Sequence, residues 1–115
     1  MRMVAVGTEV QPVPLKRVEG QALAGGSTIK QLLVGNLGLL AEMTLPRGVI
    51  TPPHTHDHES LCYIVRGKVR ATIGGNNWVL GPGDSVLHPQ GMVHGMEVLE
   101  ETTWIEFKTP PEQPW

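Results

Sequence analysis

Apolar and polar positions alternate most clearly where Val69, Ala71 and Ile73 are interleaved with Arg70 and Thr72. Side chains on an extended strand point to opposite faces in turn, so this pattern predicts a half-buried β-strand. Ile29 to Val34, Leu37 to Leu45, Leu61 to Val65, Trp78 to Leu80, Ser85 to His88, Val93 to Leu99 and Thr102 to Phe107 read as further short strands. The breaks between them are Gly25-Gly26-Ser27, Gly35-Asn36, Pro46-Arg47-Gly48, Gly74-Gly75-Asn76-Asn77 and Gly81-Pro82-Gly83-Asp84, with Gly67 as a tight turn. Glycine and asparagine tolerate positive φ and proline pre-sets a turn, so each cluster closes a strand. Met3 to Val6 is a possible further strand, which either frays or pairs with a neighbouring subunit's sheet edge. Fourteen glycines and ten prolines (Gly 14, Pro 10) leave no window for a long amphipathic helix. Short strands separated by Gly/Pro turns predict an all-β sandwich or barrel.

Composition narrows the picture. With 115 residues and 40% hydrophobic content the chain is expected to fold as one domain around one modest core. Residues 1–27 form an arm and the first strands, 28–109 the barrel, and 110–115 an extended strap that leaves the sheet at Pro110-Pro111. A net charge of −2 without any run of Lys or Arg suggests neither a nucleic-acid face nor a membrane patch, so the expected partner is a small molecule. The single cysteine, Cys62, sits in an apolar strand and reads as a buried, inert thiol. With no leader-like apolar run at the N-terminus, the expected location is the cytoplasm.

Four of the five histidines fall in two segments, Pro52-Pro53-His54-Thr55-His56-Asp57-His58-Glu59 and Pro89-Gln90-Gly91-Met92-Val93-His94. His54 and His56 are two apart on a strand and so share a face, which builds half of a metal shell. His94 follows a Pro-x-Gly turn, and a curled sheet returns it beside the first pair. Imidazole suits zinc, nickel, iron or copper and tolerates manganese, so the three define a site for one divalent ion without naming it. His88 precedes Pro89 at a strand end and reads as exposed. Arg70 alternates with Val69 and Ala71 and points outward. Trp78, Trp104 and Trp115 read as core or interface packing.

At these residues the sequence resembles the cupin family. Gly48, His54, His56 and Gly67 fit the family's first motif, and Gly83, Pro89, Gly91 and His94 fit its second. The resemblance implies a small antiparallel β-barrel (jelly roll), with His54, His56 and His94 facing inward around a divalent zinc, nickel, manganese or iron ion, and a homodimer. Ser60 occupies the fourth metal-ligand position, where the family carries glutamate. A hydroxyl is a poor donor, so three histidines plus water are expected, unless a bulge brings in Glu59 or His58. In regular alternation Glu59 faces away.

The Pro-Pro-His-Thr-His segment, the Gly81-Pro82-Gly83-Asp84 turn and Pro110-Pro111 look like the small cupins of pectin and alginate degradation, which linearise unsaturated uronates. That resemblance implies proton transfer by Glu106, where the family has aspartate. At Glu112 the family has a substrate-gripping arginine, so the charge is reversed. The leading expectation is a metal-dependent enzyme whose ion acts as Lewis acid while Glu106 moves a proton during ring opening or isomerisation. One alternative is an iron dioxygenase, with Glu59 turned inward beside two histidines. Another is a non-enzymatic binding or sensory module.

Overall fold

The computed structural model describes residues 2–111 and 115. Among the described residues a 3-10 turn, Gly7–Glu9, precedes ten strands. In chain order these are β1 (Val13–Pro14), β2 (Arg17–Val18), β3 (Gln21–Ala22), β4 (Thr28–Val34), β5 (Leu39–Leu45), β6 (Ile50–His54), β7 (Glu59–Ile73), β8 (Asn76–Leu80), β9 (Ser85–His88) and β10 (His94–Thr109). All pairings are antiparallel. The main sheet runs β1-β4-β5-β10-β7-β8, with β6 also on β10 and β9 also on β7, while β2 and β3 form a separate hairpin. Among the described residues no helix is long and apolar enough to cross a membrane.

Two long strands do the closing. The start of β10 pairs with β6 and its later part with β5; the start of β7 pairs with β9 and its end with β8. Each long strand therefore belongs to both halves of the structure, which is how a jelly-roll barrel joins its two sheets. The β7/β10 ladder slips register between Val98 and Glu100, between Glu100 and Thr103, and between Thr103 and Trp104. Such slips bend a strand and sharpen its twist, so the halves fold toward each other.

Gly67 is where this differs from the sequence expectation. It is not a turn between two strands; it lies inside β7, with φ +99°. A Cβ there would run into the Glu101 carbonyl oxygen and the Thr102 hydroxyl, so only glycine fits. The irregularity also changes which positions face inward. Ser60, Cys62 and Ile64 are buried before it, Val69 and Ala71 after it. An added residue in a ladder inverts the alternation downstream, and the two apolar runs thus serve one strand on two parities. Likewise Val93 to Leu99 and Thr102 to Phe107 belong to one strand, β10, and Met3 to Val6 forms no strand.

The core is built from inward positions at a spacing of two. Leu39, Ala41, Met43 and Leu45 of β5 are buried, and Ile29, Ile64, Val69, Val98 and Trp104 pack with them. Trp78 is half-exposed on β8 and Trp115 packs on the edge of the core. Arg70 points outward, as expected, and meets Glu97 at 2.7 Å. Glu112 lies outside the described residues, as do positions 113 and 114 of the strap. Apolar side chains also cover part of the outside: Leu61, Tyr63, Val65, Leu87 and Phe107 are exposed, and Leu61 lies opposite both Leu87 and Phe107.

Candidate metal centre

The two histidine-bearing segments are brought together by backbone pairing. His94, the first residue of β10, is in register with His54, the last residue of β6. The turn carrying Gly91 donates its N–H to the His56 carbonyl at 3.0 Å. His56 itself is not on a strand. β6 ends at His54, and His56 and His58 belong to the connection to β7. The stiff Pro52-Pro53 pair extends the chain up to His54, and the loop then turns His56 back inward. The shared face inferred from a strand is therefore reached by a loop.

All five histidines line one cavity, together with Ser60, Glu106, Trp104 and Trp115. The ring centroids of His54 and His56 lie 4.4 and 4.6 Å from that of His94 and 6.2 Å from each other. His94 is thus the hub. Each of these rings has Nδ1 on a nearby carbonyl: His54 on Pro52 at 2.7 Å, His56 on His58 at 2.6 Å, His94 on Met92 at 3.1 Å. A carbonyl only accepts, so Nδ1 carries the proton and Nε2 keeps its lone pair. In this tautomer, held by the backbone carbonyls, Nε2 is free to bind a metal. The donor set is compatible with a divalent metal.

Burial keeps several of these rings neutral. It lowers His94 from 6.5 to about 4, with the Met92 carbonyl opposing and His54 adding to the shift. His58 falls to about 3 by burial, then by the positive charge of Lys108 and the neighbouring His56. His58 stacks on His56 at 3.7 Å, and its Nε2 stands 3.6 Å from the Glu19 carboxylate, too far for a hydrogen bond.

His88 corrects the sequence reading. It is buried, not exposed, at 7% accessibility, because the alternation of β9 turns Val86 and His88 inward and Ser85 and Leu87 outward. Burial, then His94 and His56, lower it to about 3. Its ring stacks on His94 with centroids 4.0 Å apart, and its Nε2 has no hydrogen-bond partner among the described residues. The donor atoms of His56, His88 and His94 lie within 4.8 Å of one another. The same period-two rule that placed Val69 would have placed His88; the adjacent Pro89 drew attention to the strand end instead.

Ser60 faces the cavity, but its hydroxyl donates to Glu106 Oε2 at 3.3 Å. Glu59 stays exposed on the opposite face, so no bulge presents it to the histidines. Glu106 lines the same cavity, as does Glu19 beside His58. Cys62 Sγ and Trp104 Nε1 contact Glu106 Oε1 at 3.5 and 3.3 Å. Burial pushes its carboxyl above the usual range, against the lowering effect of Cys62, Trp104, Lys108 and Ser60. Cys62 is buried and its thiol pushed well up by burial and by Glu106, which leaves it an inert thiol. Two residues on β10 past Glu106, Lys108 is buried and opposite Ser60, its Nζ 4.7 Å above the Trp115 ring. It brings positive charge near the cavity, and sequence reasoning passed over it although it shares the parity of Trp104 and Glu106.

A closed antiparallel barrel with imidazoles on its inner wall defines a β-barrel protein with a cavity compatible with a metal. A family model for the cupin domain matches residues 41–106, and the chain belongs to that family. Over 56 residues the chain is 34% identical to the pectin degradation protein KdgF of Dickeya dadantii (strain 3937), covering 48% of this chain and 51% of that protein. It is 33% identical over 69 residues to the nitrosourea synthase of Streptomyces achromogenes subsp. streptozoticus, covering 59% of this chain and 15% of that protein. The chain thus spans about half or less of the curated relatives it matches. Among solved structures, KdgF from Halomonas sp. gives a TM-score of 0.83 at 23% identity, over 98% of this chain and 97% of that one. An RmlC-like cupin from Shewanella frigidimarina NCIMB 400 gives 0.84 at 19% identity, over 98% and 95%. At these identities the structural likeness concerns the fold.

Proposed function

We propose that this chain is a metal-dependent enzyme that opens or isomerises a small, oxygenated, sugar-derived molecule, with unsaturated uronates as the substrate class. The observation that carries this reading is the placement of three tautomer-fixed imidazoles, His54, His56 and His94, in the same cavity as a buried carboxyl, Glu106. A divalent ion held there supplies Lewis acidity toward a hydroxyl or carbonyl oxygen. Glu106 does the proton work. Its raised affinity for a proton brings it closer to neutral pH, and the groups around its two oxygens fix its orientation. The apolar wall of Met43, Leu45 and Met96 limits water around the reacting atoms. The positive charge of buried Lys108 favours an acidic substrate. The match to a pectin degradation protein supports the substrate class.

Glu106→Gln tests the mechanism. With an unsaturated uronate as substrate, turnover is expected to fall by about 10²–10⁴-fold, as for loss of a positioned general acid or base, while metal content stays at the wild-type level. Unchanged turnover would remove Glu106 from the mechanism. Ligand-induced stabilisation of the wild type without any turnover would make the chain a binding module instead.

The chain acts as a homodimer in this reading, in the cytoplasm, where its one thiol stays reduced. Support for the dimer comes from the outer row of Leu61, Leu87 and Phe107, since a contiguous exposed apolar face is commonly an interface. Leu61→Lys is expected to convert the dimer to a monomer in light scattering; a wild type that is already monomeric contradicts the assignment.

A further inference from the structure

Ser60, the candidate fourth donor, has its hydroxyl on Glu106, and the neighbouring strand in the sheet presents a nitrogen to the same cavity. His88 of β9 lies directly across the ladder from Ser60 of β7. Side chains of directly opposed residues leave the sheet about 5 Å apart on the same face, so both enter the cavity together. A buried ring nitrogen without a partner is unusual, because leaving water without a replacement bond is unfavourable. His88 Nε2 is such an atom, and it belongs to the tight cluster with His56 and His94.

We propose that His88 is a fourth metal ligand, filling from β9 the coordination position that Ser60 leaves open on β7. The inference rests on the metal-binding reading above and adds the composition of the shell. Moving the donor from one strand to its neighbour keeps the ligand number and changes the ligand charge. Four neutral imidazoles leave the positive charge of the ion intact and select nickel, zinc, copper or iron over manganese, which prefers oxygen ligands. His88 lies parallel to His94, with an interplanar angle of 9°.

The test strips the protein with a chelator and titrates Cu²⁺ and Ni²⁺ into wild type, His88→Phe and His88→Gln. Phenylalanine keeps a ring against His94 and removes the nitrogen. Calorimetry is expected to show one ion per wild-type chain and a loss of affinity of about a hundred-fold in either variant, at or above the effect of an outer-shell change. Pulsed electron paramagnetic resonance of the Cu²⁺ forms should count four imidazoles in wild type and three in the variants. The wild-type count needs no variant to fold. A wild-type count of three, or variants that bind as tightly as wild type, overturns the role of His88 and leaves the three-histidine site standing. A wild type that binds neither ion overturns the metal reading itself.

Discussion

Replacing His94 with alanine is expected to abolish saturable metal binding and, with it, the rise in melting temperature that a bound ion confers. His94 is the ring around which the others are grouped, with centroids 4.4 Å from His54, 4.6 Å from His56 and 4.0 Å from His88. Its backbone is also the register partner of His54, so the two histidine segments meet at this residue. An ion that binds only the folded state at a thousand times its dissociation constant stabilises by about 4 kcal/mol. For a domain near this size each kcal/mol moves the midpoint by about 4–8 °C, so the wild type should gain roughly 15 °C or more. Differential scanning calorimetry of each protein with and without Ni²⁺ removes the baseline cost of the mutation from the comparison. The alanine variant is expected to show no gain, and an equal gain in both proteins would place the ion elsewhere.

The second large effect is acid sensitivity of the metal-free protein. His58 and His88 titrate at about 3 and His94 at about 4 in the folded chain, against an ordinary value of 6.5. Below pH 6.5 the unfolded chain takes up protons that the folded chain refuses, so stability falls as pH falls from 6.5 toward 4. Each group contributes about 1.4 kcal/mol per pH unit over that window. Together they remove on the order of 3–5 kcal/mol between pH 7 and pH 5, once their mutual coupling is discounted. Glu106 acts in the opposite sense, since its raised affinity means that the folded state gains its proton first on acidification. One carboxyl does not offset three histidines. Urea unfolding at the two pH values measures the difference; equal midpoints would mean the imidazoles are hydrated and the cavity is not as closed as the burial of His56, His88 and His94 requires.

The strands were legible because inward positions obey the two-residue period, as at Leu39, Ala41, Met43 and Leu45. Gly67 misled because a glycine between apolar runs reads as a turn, whereas here it marks a break within one strand; local sequence does not distinguish these. The triad of His54, His56 and His94 was readable from spacing, although His56 reaches the site from a loop. His88 and Lys108 were missed for a different reason. A polar side chain at an inward position looks like an outward one until the neighbouring strands reveal a cavity to receive it. The hairpin carrying Glu19 against His58 was likewise invisible, since it comes from a distant part of the chain with no periodic signal.

Anomalous diffraction from crystals grown with Ni²⁺ or Zn²⁺, recorded at the metal edge, tests most directly whether these imidazoles hold one cation. The expected result is a single peak inside the barrel, about 2.1 Å from the Nε2 atoms of His54, His56 and His94. A barrel interior without a peak, or a peak bound only by surface groups, contradicts the account.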